Sequence, residues 1–410
     1  MKPSTVHSTL DVDDIRSHFP ALRGGTAFFD SPGGTQTPTS VAAAIGETLL
    51  APLANRGLVT QAERNATSIV EACRSALGDF LNVPSQTVVF GRSATALTFD
   101  LSRAISRTWK AGDEVVVTRL DHNSNVQPWL IAAERTGVTV RWVDFDPATG
   151  ELSTDAVREQ LSERTRLVAV TAASNVLGTM PDIPRIAEAV HGVGALLYVD
   201  GVHYAAHALV DVPALGADFF VCSPYKFLGP HCAAVTMRSD LLGQLQPDKL
   251  ATSPNTDPER YELGTLPYEL MAGTTAAVDF IAAIGGPEGT RRERLVRAVE
   301  AIDEHETDLR EVIETGFAAF DDLTVHSRAA RRSPTLFVSV AGGRDQELAR
   351  FLASRDINAP ASHFYAIEAS RRLGLGDGGA LRVGLAPYNT RDDADRLLNA
   401  TADFLASRRP

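Results

Sequence analysis

Lys226 closes the stretch Ser223-Pro224-Tyr225-Lys226, directly after the short apolar run 219–222. An amine held there can attack a carbonyl or carry a proton, provided it is kept neutral. Four more polar groups stand in the same kind of place. Asp200 ends Leu-Leu-Tyr-Val-Asp, with His203 three residues on. Asp121-His122-Asn123-Ser124-Asn125 follows the run 114–118, and Ser174-Asn175 follows 167–171. Arg92-Ser93-Ala94-Thr95 follows 87–90 and opens a helical pattern. Backbone N–H groups and a hydroxyl at a helix N-terminus make an anion site suited to a phosphate. Each position also has an ordinary explanation. Ser93 can be a plain N-cap, Asp200 can satisfy turn amides, a lone histidine is commonly structural, and a lysine can be a surface residue. Five such groups on one edge are not explained that way.

The edge is set by the elements between them. Segments 87–90, 114–118, 139–143, 167–171, 196–200, 219–222 and 233–237 are short, apolar or β-branched, and bounded by polar or Gly/Pro residues. Helical periods at 93–109, 125–135 and 183–191 lie between them. Such alternation predicts an α/β fold with a mostly parallel seven-stranded sheet, helices on both faces, and a ligand crevice at the strands' carboxyl ends. Beyond about residue 265 the pattern changes. A long helical region at 287–320 carries Ile302, Leu309, Val312 and Ile313 on one face. Strands at 334–340, 357–359 and 380–384 alternate with helices at 346–354 and 391–406. The expected organisation is a large domain over 26–265, a smaller α+β domain over 266–410, and a segment 1–25 packed on the smaller one or across the junction. The glycine cluster 374–379 has no strand before it and reads as a surface loop.

Composition narrows the partners. The net charge of −12 and the shortness of the basic clusters argue against nucleic acid. Cys73, Cys222 and Cys232 are too few and too scattered for a disulfide framework or a thiolate metal site. His203 and His207 form the one His-x-x-x-His pair, but Tyr204 stands where a zinc-protease helix has glutamate, so no metal is expected. With no long uncharged apolar run and no apolar leader, the expectation is a cytoplasmic protein off the membrane.

The segment Leu197-Tyr-Val-Asp200-Gly201-Val202-His203, then Ala217-Asp218-Phe219-Phe220, then Ser223-Pro-Tyr-Lys226-Phe-Leu-Gly229-Pro230, resembles the lysine signature of class V aminotransferases. These are pyridoxal-phosphate (PLP) enzymes of fold type I. Within that group the chain is most similar to cysteine desulfurases and selenocysteine lyases. Matching motifs include Phe28-Phe29-Asp30-Ser31-Pro32-Gly33-Gly34-Thr35, Asp121 to Trp129, Ser174 to Thr179, Gly264-Thr265 and Arg382 to Thr390. The resemblance implies a homodimer and a set of roles. Lys226 would form the Schiff base with PLP and shuttle the Cα proton. Asp200 would face the pyridine nitrogen and keep it protonated, which makes the ring a better electron sink. His122 would stack on the ring. Ser93 with Ala94 and Thr95, and Ser223, would hold the phosphate, with Thr265 reaching the partner subunit's cofactor. Asn175 would lie near the ring hydroxyl and the substrate, alongside Gly33. Arg382 would grip the substrate carboxylate with two parallel bonds that lysine could not imitate.

The departures carry as much meaning. His203 stands where desulfurases place a glutamine on the ring oxygen, and Tyr225 where they commonly place a histidine. Their nucleophilic cysteine lies on a small-domain loop that here reads Ser362-His363-Phe364-Tyr365-Ala366. Without that thiol, the chemistry implied is elimination of a β-leaving group such as a thiolate, that is, a C–S lyase. The alternatives are transamination or decarboxylation-coupled deamination, and a scaffold that kept the fold without catalysis. Which bond breaks depends on orientation in the pocket; Tyr225, His203, His363 and Tyr365 are the polar residues expected to shape it.

Overall fold

The computed structural model describes residues 10–407. After the short strand β1 (Ala27–Phe28) come β2 (Val88–Gly91), β3 (Glu114–Thr118), β4 (Thr139–Val143), β5 (Thr165–Thr171), β6 (Leu196–Asp200), β7 (Phe219–Cys222) and β8 (Ala233–Met237). The last seven form one sheet in the order β2-β8-β7-β6-β5-β3-β4. The interior strands β3, β7 and β8 are buried along their whole length, as a sheet covered on both faces requires. Strand β4 alternates exposed and part-buried residues before Val143, as suits its place on an edge.

The sheet is parallel except at β8, which runs antiparallel to both β7 and β2. The reason is the length of the connection. Only residues 223–232 separate β7 from β8, and a parallel crossover needs a dozen or more. The chain therefore turns straight back, and this turn carries Lys226. Gly201, just after β6, has its own constraint: a Cβ there would stand 1.9 Å from Cζ of Phe220. Phe219 and Phe220 are both fully buried, each contributing about 1.5–3 kcal/mol, so a larger residue at 201 would disrupt the β6–β7 contact.

The remaining strands are β9 (Leu323–Val325), β10 (Thr335–Val340), β11 (Ile357–Asn358), β12 (Ala361–Ser362) and β13 (Ala380–Gly384). Four of them form an antiparallel sheet, β12-β13-β10-β9, and β11 pairs with β1. The long helical region is the helix Arg291–Ala318, opened by a capping box at Thr290 and Glu293, and a separate helix Tyr268–Ile284 precedes it. Ile302, Leu309 and Ile313 are buried on it, and Val312 is partly buried. Strand β9 and the helix 268–284 were not foreseen. At the N-terminus, Phe19 packs against Phe280 and Tyr388, and Arg16 pairs with Asp393 at 3.1 Å. The first nine residues of the expected N-terminal segment lie outside the described residues. The two sheets are joined by backbone bonds from Ser333 N to Gly178 O (2.8 Å) and from Met180 N to Arg331 O (2.9 Å).

Arg74, on the helix Gln61–Leu81, pairs with Glu262 at 2.6 Å, and Glu262 Oε1 accepts the Phe90 amide at 2.9 Å. Both side chains are buried, so this pair pins the end of β2 that feeds the Ser93 turn. Arg74→Ala should cost about 3–5 kcal/mol, because it strands the Glu262 charge. A guanidinium denaturation midpoint lowered at unchanged slope would register that loss. The double change Arg74→Met with Glu262→Gln keeps the acceptor for Phe90 and should recover most of it.

Candidate active site

A cavity of about 360 Å³ opens at the carboxyl ends of the strands. Lys226, Asp200, His203 and Ser223 line it, as do His122, Asn175, Tyr225 and Gly33. Ser93, Ala94 and Thr95 complete one wall. Five loops that are remote in sequence thus meet at the point that strand order indicated.

Lys226 is buried. Burial, with the Arg382 charge adding to it, pulls its amine down to about 8, against the opposing pull of Asp200 and Asp30. Asp200 Oδ1 accepts the Val202 amide at 2.9 Å. Burial still pushes its carboxyl pKa up, opposed by that N–H and by Lys226. Neither group has an ion-pair partner within salt-bridge reach among the described residues.

His122 is fixed by its own turn. Its Nδ1 accepts the Ser124 amide at 3.1 Å, which places the ring proton on Nε2. Burial, then the charges of Lys226 and Arg382, lower its pKa to about 3, so the ring is neutral. Beside it, burial raises Asp121 to about 8, and Asn125 Nδ2 donates to that carboxyl at 2.7 Å. Ser93 does what an N-cap does, accepting from Ala96 N at 3.1 Å, and the helix Ala94–Ile105 starts at the cavity wall. Capping and anion binding are compatible here, because the hydroxyl orders the same turn whose N–H groups border the cavity.

Tyr225 stacks on His231 with rings 4.8 Å apart and 6° from parallel. Burial raises its phenol pKa, and Asp200 adds to the rise. His231 and Cys232 also line the cavity, and neither was foreseen as a site residue. They follow Gly229-Pro230 in an aperiodic stretch with no local signal. Cys232 is buried near Thr274, its thiol pushed up to about 12 by burial. Cys73 and Cys222 are buried too, with burial raising both thiols.

Four expected residues lie outside this lining. Arg382 is buried next to it. Its guanidinium pairs with Asp30, donates from Nη1 to Asn175 O at 3.1 Å, and sits 3.7 Å over the Phe364 ring. In the sequence Asp30 stands only as part of the motif 28–35, and its one local signal as a site residue is that of an acid directly after an apolar run. Thr265 is exposed on a neighbouring cavity of about 900 Å³, which shares Arg92, Ser93 and Thr95 with the first. His363 and Tyr365 are on the strap that follows β12. Tyr365 is 69% exposed, with its ring 5.3 Å from that of His122.

That strap is held in a costly shape. Phe364 and Tyr365 have φ of 48° and 62°, and each left-handed non-glycine residue costs about 1–2 kcal/mol. Two bonds from the large-sheet loops offset this: Asn175 Nδ2 to Phe364 O at 2.9 Å and Asn123 N to Tyr365 O at 2.8 Å. Gly379 lets the strap lie down, since a Cβ there would be 2.0 Å from the Ser362 carbonyl carbon. Strain of this kind collects at functional sites.

Residues 27–397 match the class-V aminotransferase family. The chain belongs to that family. It is 32% identical to the aminotransferase-like protein FGM3 of Gibberella zeae over 96% of this chain and 98% of that one. It is 30% identical to a cysteine desulfurase of Dickeya dadantii over 94% of this chain and 95% of that one. The cysteine desulfurase CsdA of Escherichia coli has the same fold, with a TM-score of 0.85, 25% identity, and coverage of 97% of this chain and 99% of that one.

The family works with PLP, and the cavity suits that group. It offers a buried amine for an aldehyde, a buried carboxyl for a basic ring nitrogen, and a helix N-terminus for a phosphate. Asn175 Oδ1 and His203 Nδ1 are buried polar atoms without a hydrogen-bond partner, which a polar ring can supply. Among the described residues no helix is long and apolar enough to cross a membrane.

An amine titrating near 8 becomes nucleophilic well below the pH an ordinary lysine needs. PLP uptake by the unloaded chain, followed by absorbance, should speed up roughly tenfold per pH unit below about 8 and level off above it. A rate still climbing at about pH 10 would mean that the Lys226 amine is not held down by burial.

Proposed function

We propose that the chain is a PLP-dependent lyase that breaks the C–S bond of a cysteine-like or S-substituted amino acid by β-elimination, without a persulfide cysteine. The observation that carries this reading is the strap. It brings Phe364 and Tyr365, and no thiol, against Arg382 and His122. None of the three cysteines lies on the strap; all are buried, Cys232 in the cavity wall included, with thiols that burial keeps protonated.

PLP bound here supplies an electron sink for the pair left when a bond to Cα breaks. Lys226, its amine brought down to about 8 by burial, would hold the aldehyde and then take the Cα proton. Asp200 would stabilise positive charge on the ring nitrogen, His122 would cover one ring face, and Ser93, Ala94, Thr95 and Ser223 would hold the phosphate. Arg382, oriented by Asp30 and by the Phe364 ring, takes the substrate carboxylate, with Asn175 and Gly33 beside it. The Cβ–S bond then breaks with its electrons on sulfur. The thiolate picks up a proton, and the released aminoacrylate adds water to give pyruvate and ammonia. Tyr225, held protonated by burial, is the nearby acid on the cavity wall, and His363 and Tyr365 shape the mouth.

In this reading residues 26–265 form the cofactor domain, 266–410 form the small C-terminal domain, and the segment 1–25 packs on that small domain, to which Arg16 and Phe19 belong by their contacts. The active form is a homodimer, with Thr265 of one copy reaching the phosphate of the other. Its exposure beside Arg92 and Ser93, and the exposed Leu58, Val59 and Leu263, support such a face.

Incubation with S-methylcysteine should release methanethiol, pyruvate and ammonia in equal amounts, and Lys226→Ala should release none. Carbon dioxide, or accumulation of the amino form of the cofactor, would favour decarboxylation or transamination instead. A chain that takes up no PLP would be a scaffold. Arg382→Lys should raise KM by roughly 10–100-fold, the loss of about 1.5–3 kcal/mol of charged hydrogen bonding.

A further inference from the structure

His203 forms part of the cavity wall, and its far side faces the small sheet. Its Nε2 lies 3.0 Å from Ser333 Oγ and 3.0 Å from Thr335 Oγ1. Both hydroxyls are buried, and His203 Nε2 is the only hydrogen-bond partner of either among the described residues. The other ring nitrogen, Nδ1, is buried and has no partner.

These contacts decide where the ring proton sits. A proton on Nε2 would strand both hydroxyl hydrogens and leave the Nδ1 lone pair unused. A bare Nε2 accepts a hydroxyl hydrogen, and the ring's remaining donor is then Nδ1–H. The second arrangement satisfies more groups, and an acceptor bound in the cavity improves it further. The ring stays neutral. Burial is the main reason, and the charges or potential charges around it, those of His207, Lys226 and Arg382, act the same way. His207, 4.8 Å away ring to ring, is itself engaged by Glu306 at 2.9 Å.

We infer that Ser333 and Thr335 are positioning residues that hold His203 as the Nδ1–H tautomer, so that it donates a hydrogen bond to the ring oxygen of PLP. This rests on the proposed seat of PLP at Lys226. It also makes the docking of the small sheet felt at the cofactor, because Thr335 belongs to β10 and Ser333 is tied by its amide to Gly178 O. A donor to a phenolate oxygen stabilises its anionic form and shifts the absorption of the conjugated ring.

The first measurement is on the unloaded chain: ring-nitrogen NMR of ¹⁵N-histidine-labelled protein, with the His203 signals assigned from His203→Gln. A protonated Nδ1 and a bare Nε2 are expected, and the reverse assignment overturns the inference. On adding PLP, the Nδ1 signal should shift; a loaded protein in which it stays put also overturns it. The second measurement is the visible absorption maximum of the loaded protein. Thr335→Val combined with Ser333→Ala should move it, whereas Thr335→Ser, which keeps the hydroxyl, should leave it in place. One shared maximum for all three proteins counts against the inference. Failure to take up PLP at Lys226 sinks the functional reading instead, while the tautomer in the unloaded chain still tests the role of the two hydroxyls.

Discussion

Two groups of opposite intrinsic charge, the Lys226 amine and the Asp200 carboxyl, are withdrawn from water in the same cavity without forming an ion pair. Burial pulls the amine pKa down and pushes the carboxyl pKa up, so each is driven toward its neutral form. Alone, that is a destabilised arrangement. A planar group that offers an aldehyde to the amine and a basic nitrogen to the carboxyl would remove both penalties at once. Other features of the cavity suit the same group: His122 kept neutral, a helix N-terminus at one wall, and two buried atoms, on Asn175 and His203, without a hydrogen-bond partner.

The delivery of those two groups depends on the β6–β7–β8 region. Asp200 ends β6, and Lys226 lies in the short reversal between β7 and β8. Because that reversal cannot cross the sheet, it stays at the carboxyl end and keeps the lysine there. Gly201 and the buried Phe220 ring lock the neighbouring turn. The small sheet then closes the site from the other side through three kinds of contact. These are the Arg382 pair with Asp30, the strap bonds to Asn123 and Asn175, and the Ser333 and Thr335 hydroxyls on His203. Each joins a residue before about 205 to one beyond 330, so the site exists only when the two sheets are docked.

The strap that follows β12 is held under strain. Two consecutive left-handed residues are strained, and they are kept in place by bonds to loops of the large sheet. Phe364 spends its ring on the Arg382 guanidinium, a contact that stiffens the arginine and supplies no nucleophile. A stiffened Arg382 guanidinium, more than a reactive side chain, is what this loop offers the site.

From the amino-acid order alone, the strands of the large sheet could be placed, and with them Lys226, Asp200, His122 and Ser93. Apolar runs mark strands, and a polar residue at a run's carboxyl end lands in the crevice whatever the rest of the fold does. Such signals are local, a few residues long. The direction of β8 was open to the same reasoning through its ten-residue connection, but the helix 268–284 and strand β9 gave weaker patterns. Asp30 beside Arg382 is a contact across 352 residues, and Thr335 against His203 one across 132. His231 and Cys232 reach the cavity only because the β7–β8 reversal folds over it. Nothing in the spacing of a sequence encodes which distant side chain completes a buried hydrogen bond. Packing of the two sheets decides that, because only there is water excluded and each polar atom forced to find its partner.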